Sequence, residues 1–170
     1  MTFKFLSKNF YISFSIVALI YFLDRFTKIY VIQLDKNNFG SDIFNSAYLN
    51  IVLIWNKGIA FDLLSFNESH LYNILSLLIS IIVVILVIMS LKSHGFKRYS
   101  LLMIVGGALG NLHDRIFFNA VPDFIDFHVG NFHWFIFNVS DIFITIGIVS
   151  MIILELSDNK IQKEDNDKNY

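Results

Sequence analysis

Residues 111–126 bring together Asn111, His113, Asp114, Arg115, Asp123 and Asp126, and Asn138 and Asp141 follow shortly after. Asp123 and Asp141 stand out because neither has a cation beside it in sequence. Two carboxyls held close together cannot both ionise comfortably. One pKa rises and the pair shares a proton, so the site holds both a base that can activate water and an acid that can protonate a carbonyl oxygen. That is the chemistry of amide hydrolysis. Spacing alone leaves two alternatives open, structural polar contacts between helices and a proton pathway.

Other chemistries find less support. His113, His128 and His133 are irregularly spaced and the chain has no HExxH, so no metal is expected. The chain has no cysteine, which removes disulfides, thiolate ligands and a cysteine nucleophile. Neither GxSxG nor a P-loop occurs, and no cofactor is expected. Lys and Arg are scattered and the formal charge is -1, which gives no footprint for nucleic acid.

The elements that must position these groups are membrane spans. Of the 170 residues, 55% are hydrophobic, and the mean hydropathy is +0.60, too apolar for an ordinary soluble domain. Four segments are long enough to cross a bilayer, about 10–34, 71–91, 99–118 and 135–156. They make one domain over 1–157, followed by a polar tail over 158–170 whose composition suggests disorder. Lys4 and Lys8 precede the first span, and Lys92, Lys97 and Arg98 lie in the link between the second and third, so these ends belong in the cytoplasm. Residues 119–134 carry no Lys or Arg and face outward, and both termini are then cytoplasmic. A cleavable leader fits poorly, because no small-residue cleavage site follows the first apolar run and hydrophobicity resumes after Lys28. Residues 48–56 read as a short strand in the first outer loop, and Ser65 with Glu68 has the spacing of a helix cap before the second span.

The ionisable groups converge on one height. At 1.5 Å per residue Asp114 lies about 22 Å from the inner end of its span and Asp141 about 9 Å from the outer end of its own, with Asp24 and Lys28 at a similar level. Asn111 shares a helix face with Asp114 and Arg115, and Asn138 shares one with Asp141. Gly106 and Gly110 form a GxxxG that allows close helix approach. Asp24 and Lys28 read as a structural i,i+4 pair, Arg25 as an interfacial snorkeller and Ser140 as a packing residue. Trp55 and Trp134 fit an interfacial aromatic belt.

The blocks FLDRFTK (22–28), NKGIAF (56–61), GGALGNLHDR (106–115), VPDFIDF (121–127) and FNVSD (137–141) occur in the order found in bacterial lipoprotein signal peptidase, or signal peptidase II, which the chain resembles. The resemblance implies an all-α membrane protein, four transmembrane helices with a small periplasmic strand and helix element in the first outer loop. It implies an aspartic endopeptidase of the bacterial inner membrane, cutting prolipoproteins before the diacylglyceryl-modified cysteine, with prolipoproteins and membrane lipids as partners. The chain is expected to be a monomer. Asp123 and Asp141 take the catalytic positions. Asn56, Gly58, Asn111, Arg115 and Asn138 would bind substrate or position the dyad, and Asp114, Asp24 and Lys28 would be structural. Three departures remain: Ser140 where the family usually has Ala, Asp62 where a small residue is common, and Asp126 as a third carboxyl that leaves open which acid meets Asp141. A small transporter and a helix-binding assembly subunit are the rival readings of the same polar groups.

Overall fold

The computed structural model describes the backbone of residues 8–38, 43–57 and 68–168, with side chains for 9–38, 43–57 and 72–157. Its elements run α1 (Lys8–Asn37), β1 (Leu49–Asn56), α2 (Glu68–Lys92), α3 (Gly95–Phe118), β2 (Val121–Val129), β3 (Phe132–Phe137) and α4 (Val139–Lys168). Each helix is long and apolar enough to cross a bilayer. The β-branched run in α2 stays helical because a chain in hydrocarbon must satisfy its backbone hydrogen bonds internally.

Helix α3 packs against the other three helices and holds much of the core, including Leu101, Leu102, Val105 and Leu112. Lipid-facing bulk covers the outside, for example Leu19 and Phe26 on α1 and Ile74 and Leu77 on α2. Small residues let α3 come close to its neighbours. A Cβ on Gly110 would overlap Ser140 Oγ and meet Asp24 Oδ2 at 2.6 Å, and one on Gly106 would meet Ile20 at 2.9 Å. At the opposite end of the bundle from the sheet, Arg98 donates to Asn9 O and Ser13 Oγ and ties the start of α3 to α1.

The four helices fall on the four apolar segments, and two features differ from the expected reading. Residues 119–134 are not a plain loop, and the fourth helix begins at Val139 instead of near 135. FHWFIF pairs with β2 as a strand, and hydropathy alone cannot tell a short apolar run in a strand from the start of a helix. Asn119 leaves α3 in a left-handed conformation, φ 53, which asparagine tolerates, and Gly130, φ 59, supplies the positive φ of the two-residue hairpin turn. The result is an antiparallel sheet of order β1-β2-β3 with β2 in the middle. Second, the tail expected to be disordered continues α4 to Lys168, where Glu, Lys and Gln are good helix formers. Glu68 does open α2, while its expected capping partner Ser65 lies outside the described residues.

Gly110→Ala should lower the thermal unfolding midpoint in detergent, at a cost of about 1–3 kcal/mol for overpacking. An unchanged midpoint would mean that Ser140 and Asp24 can move aside without loss.

Candidate active site

Four charges meet inside the bundle. Lys28 Nζ is fully buried and lies 2.9 Å from Asp24 Oδ2, 2.7 Å from Asp114 Oδ2 and 2.8 Å from Asn111 Oδ1. An ammonium has three protons, so all of its donors are used. Arg25 lies 2.6 Å from Asp114 Oδ1 and 3.0 Å from Asp24 Oδ2. Two cations and two carboxylates make the cluster neutral, the condition under which charge is tolerated at this depth. Arg25 is therefore not the snorkeller expected from its place near the span end. Its side chain is only 11% exposed because Asp114 on α3 draws it inward.

The cluster reaches α4 as well. Asp24 Oδ1 accepts the Ser140 N–H at 3.0 Å, one of the first-turn donors that a helix leaves without an internal partner. Ser140 is fully buried, in keeping with its reading as a packing residue.

From this base two asparagines lead to the acids. Asn111 gives its carbonyl oxygen to Lys28, which fixes the amide so that Nδ2 donates to Asp141 Oδ1 at 2.8 Å. Asn138 is fully buried and touches both carboxyls. Its Nδ2 donates to Asp123 Oδ1 at 2.6 Å, its backbone N–H donates to Asp141 Oδ2 at 3.1 Å, and its Oδ1 accepts the Asp141 N–H at 3.2 Å. The last two bonds form a reciprocal cap: NVSD places an N-cap asparagine three residues before an acid that reaches back to it. Asp141 thus lies in the first turn of α4, where the helix dipole favours negative charge.

Asp123 comes from β2, paired with Ile54 of β1. Asn56 is diagonal to it on the same sheet face and donates to Asp123 Oδ2 at 2.9 Å. Burial pushes the Asp123 pKa above the ordinary aspartate value, the Asn56 and Asn138 donors pull it back, and the nearby Asp141 charge raises it. The folded chain therefore holds this proton to higher pH than the unfolded chain does. Its contribution to stability is complete below the unfolded value of about 3.9 and is lost as pH rises through the folded one.

The open question over Asp126 has a geometric answer. Three residues along a strand reverse the facing, and Asp126 turns to His133 and Asn50 while Asp123 turns to Asn56 and Asn138. Arg115 is not brought onto either acid; its Nη1 donates to Asn111 O at 3.3 Å. Gly58 and Asp62 lie outside the described residues. His113 is bonded to Tyr21 on α1, away from both acids. The sequence reading missed the capping geometry of NVSD and the bridging role of Asn138, although the spacing of Asn138 and Asp141 carries that signal. An open apolar cleft of about 380 Å³ runs up to Asp141 between Phe127, Trp134, Phe137, Ile142 and Ile146.

Four spanning helices with a sheet and paired acids at one end place the chain among small polytopic membrane enzymes. A bacterial membrane enzyme solved by the in meso method at 1.9 Å resolution superposes with a TM-score of 0.72 at 30% identity, covering 86% of this chain and 93% of that one. The chain belongs to the signal peptidase II family: the family described as Signal peptidase (SPase) II matches residues 16–157. It is 47% identical over 162 residues to the lipoprotein signal peptidase of Pelagibacter ubique, covering 95% of this chain and 96% of that protein. To that of Anaplasma phagocytophilum it is 41% identical over 135 residues, covering 79% and 85%.

Lys28→Met leaves one buried carboxylate without a counter-charge, and it should cost about 3–5 kcal/mol in a detergent unfolding titration. Adding Asp24→Asn restores neutrality and should recover part of that loss.

Proposed function

We propose that this chain is an aspartic endopeptidase that removes the signal peptide from prolipoproteins, cutting before the diacylglyceryl-modified cysteine, with Asp123 and Asp141 as the catalytic pair. The observation that carries the reading is Asn138, hydrogen-bonded to both carboxyls at once. Family membership supports the substrate class, since the relatives are named for lipoprotein signal peptides.

In this mechanism one carboxylate takes a proton from water as the water oxygen attacks the scissile carbonyl carbon. The protonated partner gives its proton to the carbonyl oxygen, and a neutral tetrahedral diol results. The diol then collapses: the carboxylate takes a proton from one diol hydroxyl as the C–N bond breaks, the protonated carboxyl gives its proton to the departing cysteine amine, and the signal peptide leaves with a new carboxyl end while the pair again holds one proton. Asn56, Asn111 and Asn138 supply donors that hold the carboxyls in place. Lys28, Asp24 and Asp114 act as the structural base beneath them. Arg115 and Gly58 keep the substrate-binding role that the family resemblance implies, and Arg115 Nη1 donates to the backbone oxygen of Asn111.

The location suits a lipidated substrate. The apolar cleft beside Asp141 offers a path for acyl chains or for the apolar signal segment, so the lipid can remain in hydrocarbon while the peptide bond reaches the acids. Lys92 at the end of α2 and Lys97 and Arg98 at the start of α3 favour a cytoplasmic position for that end, with the sheet and the acids toward the outer face of the inner membrane and both termini inside. We place the enzyme as a monomer that needs no cofactor.

Cleavage of a diacylglyceryl-modified prolipoprotein peptide should fall about 10²–10⁴-fold in Asp123→Asn and in Asp141→Asn, with the protein still folded in detergent. Parent-rate cutting by either variant removes that residue from the pair, and equal cutting of the unlipidated peptide removes the lipid requirement. The rate should describe a bell with pH. Its alkaline limb should lie above the ordinary aspartate range because burial holds the shared proton, and activity should fall as pH rises through it.

A further inference from the structure

The sheet face opposite Asp123 carries a second cluster that the hydrolytic mechanism does not use. Asp126 and His128 are two apart on β2 and therefore share a face, and His133 of β3 is the register partner of His128. One ligand atom from each of Asp126, His128 and His133 lies within 4.8 Å of the other two. The two imidazoles stack with centroids 4.9 Å apart.

On spacing alone these histidines carry no metal signature, and none was expected. The hairpin supplies what spacing lacks, because its turn at Gly130 brings residues 128 and 133 into register. We propose that Asp126, His128 and His133 form a binding site for a first-row divalent transition metal, zinc being the ion best suited to two imidazoles and a carboxylate with one position left to water.

Three details beyond proximity point the same way. His128 Nδ1 is buried and has no hydrogen-bond partner among the described residues. Asp126 is buried, and Asn50 donates to its Oδ2 at 3.2 Å, the kind of outer contact that orients a carboxylate ligand. His133 is half exposed, which gives an ion access from the aqueous side. His133 Nδ1 now lies 2.8 Å from Asp126 Oδ2. Tetrahedral ligands at zinc distances sit about 3.3 Å apart, so metal entry would replace this hydrogen bond with a small opening of the pair. The bound ion would clamp β3 to β2, the strand that carries Asp123.

The test uses the full chain in detergent with any affinity tag removed, and zinc chloride as the probe. The parent should take up one equivalent saturably, and its unfolding midpoint should rise with zinc. His128→Gln and His133→Gln should each weaken uptake by about tenfold or more, while His113→Gln, on α3, should leave it unchanged. The cobalt-substituted parent should show a visible d–d band that His133→Gln lacks. Zinc uptake equal in the parent and in the His128→Gln/His133→Gln double variant overturns the site and leaves the cluster as a hydrogen-bonded pair only. Because His133 is exposed, its single variant should keep the parent's helical circular dichroism, so loss of zinc cannot be ascribed to unfolding. Uptake is read without peptide substrate, so failure here is distinguishable from failure of the peptidase reading.

Discussion

The Nζ of Lys28 has three protons and three acceptors, and most of the geometry of the upper half of the bundle depends on that match. Asp24 and Asp114 come from different helices, and without a cation between them they would repel at a depth where water cannot screen them. With Lys28 and Arg25 in place the charges cancel, and α1 is locked to α3 at a defined height. Asp24 then takes the Ser140 N–H and brings the start of α4 to the same point. Three helices are registered by one neutral cluster.

That registration reaches the paired acids through amides instead of charges. Asn111 transmits the position of Lys28 to Asp141, and Asn138 transmits the start of α4 to Asp123. The side chains that reach Asp123 and Asp141 are the neutral amides of Asn56, Asn111 and Asn138. The close approach at Gly110 serves the same end, since a side chain there would push α3 away from both Asp24 and Ser140.

Much of this was legible in the sequence because hydrocarbon imposes strong rules. Charge-free length marked the spans, and the depths of Asp24, Lys28, Asp114 and Asp141 pointed to one polar layer. What escaped was pairing across the fold. Arg25 looked interfacial because sequence position gives depth along α1 but not the acid facing it from α3. FHWFIF looked like the start of a helix because its hydrophobicity fits either element, and the turn chemistry of Gly130 was needed to decide. The choice between Asp123 and Asp126 could have been made from strand alternation once residues 121–129 were recognised as a strand.

The rim of exposed aromatic residues around the sheet has a further consequence. Phe127, Phe132, Trp134 and Phe135 are all more than half exposed, on the strands that continue into Asp123 and toward Asp141. Such rings prefer the headgroup boundary, so they act as a float that sets the elevation of the carboxyls against the surrounding lipid. A thicker or thinner bilayer would therefore pull on the float at one end and on the basic residues flanking the α2–α3 link at the other, and the bundle would answer by tilting before the scissile bond lost its level.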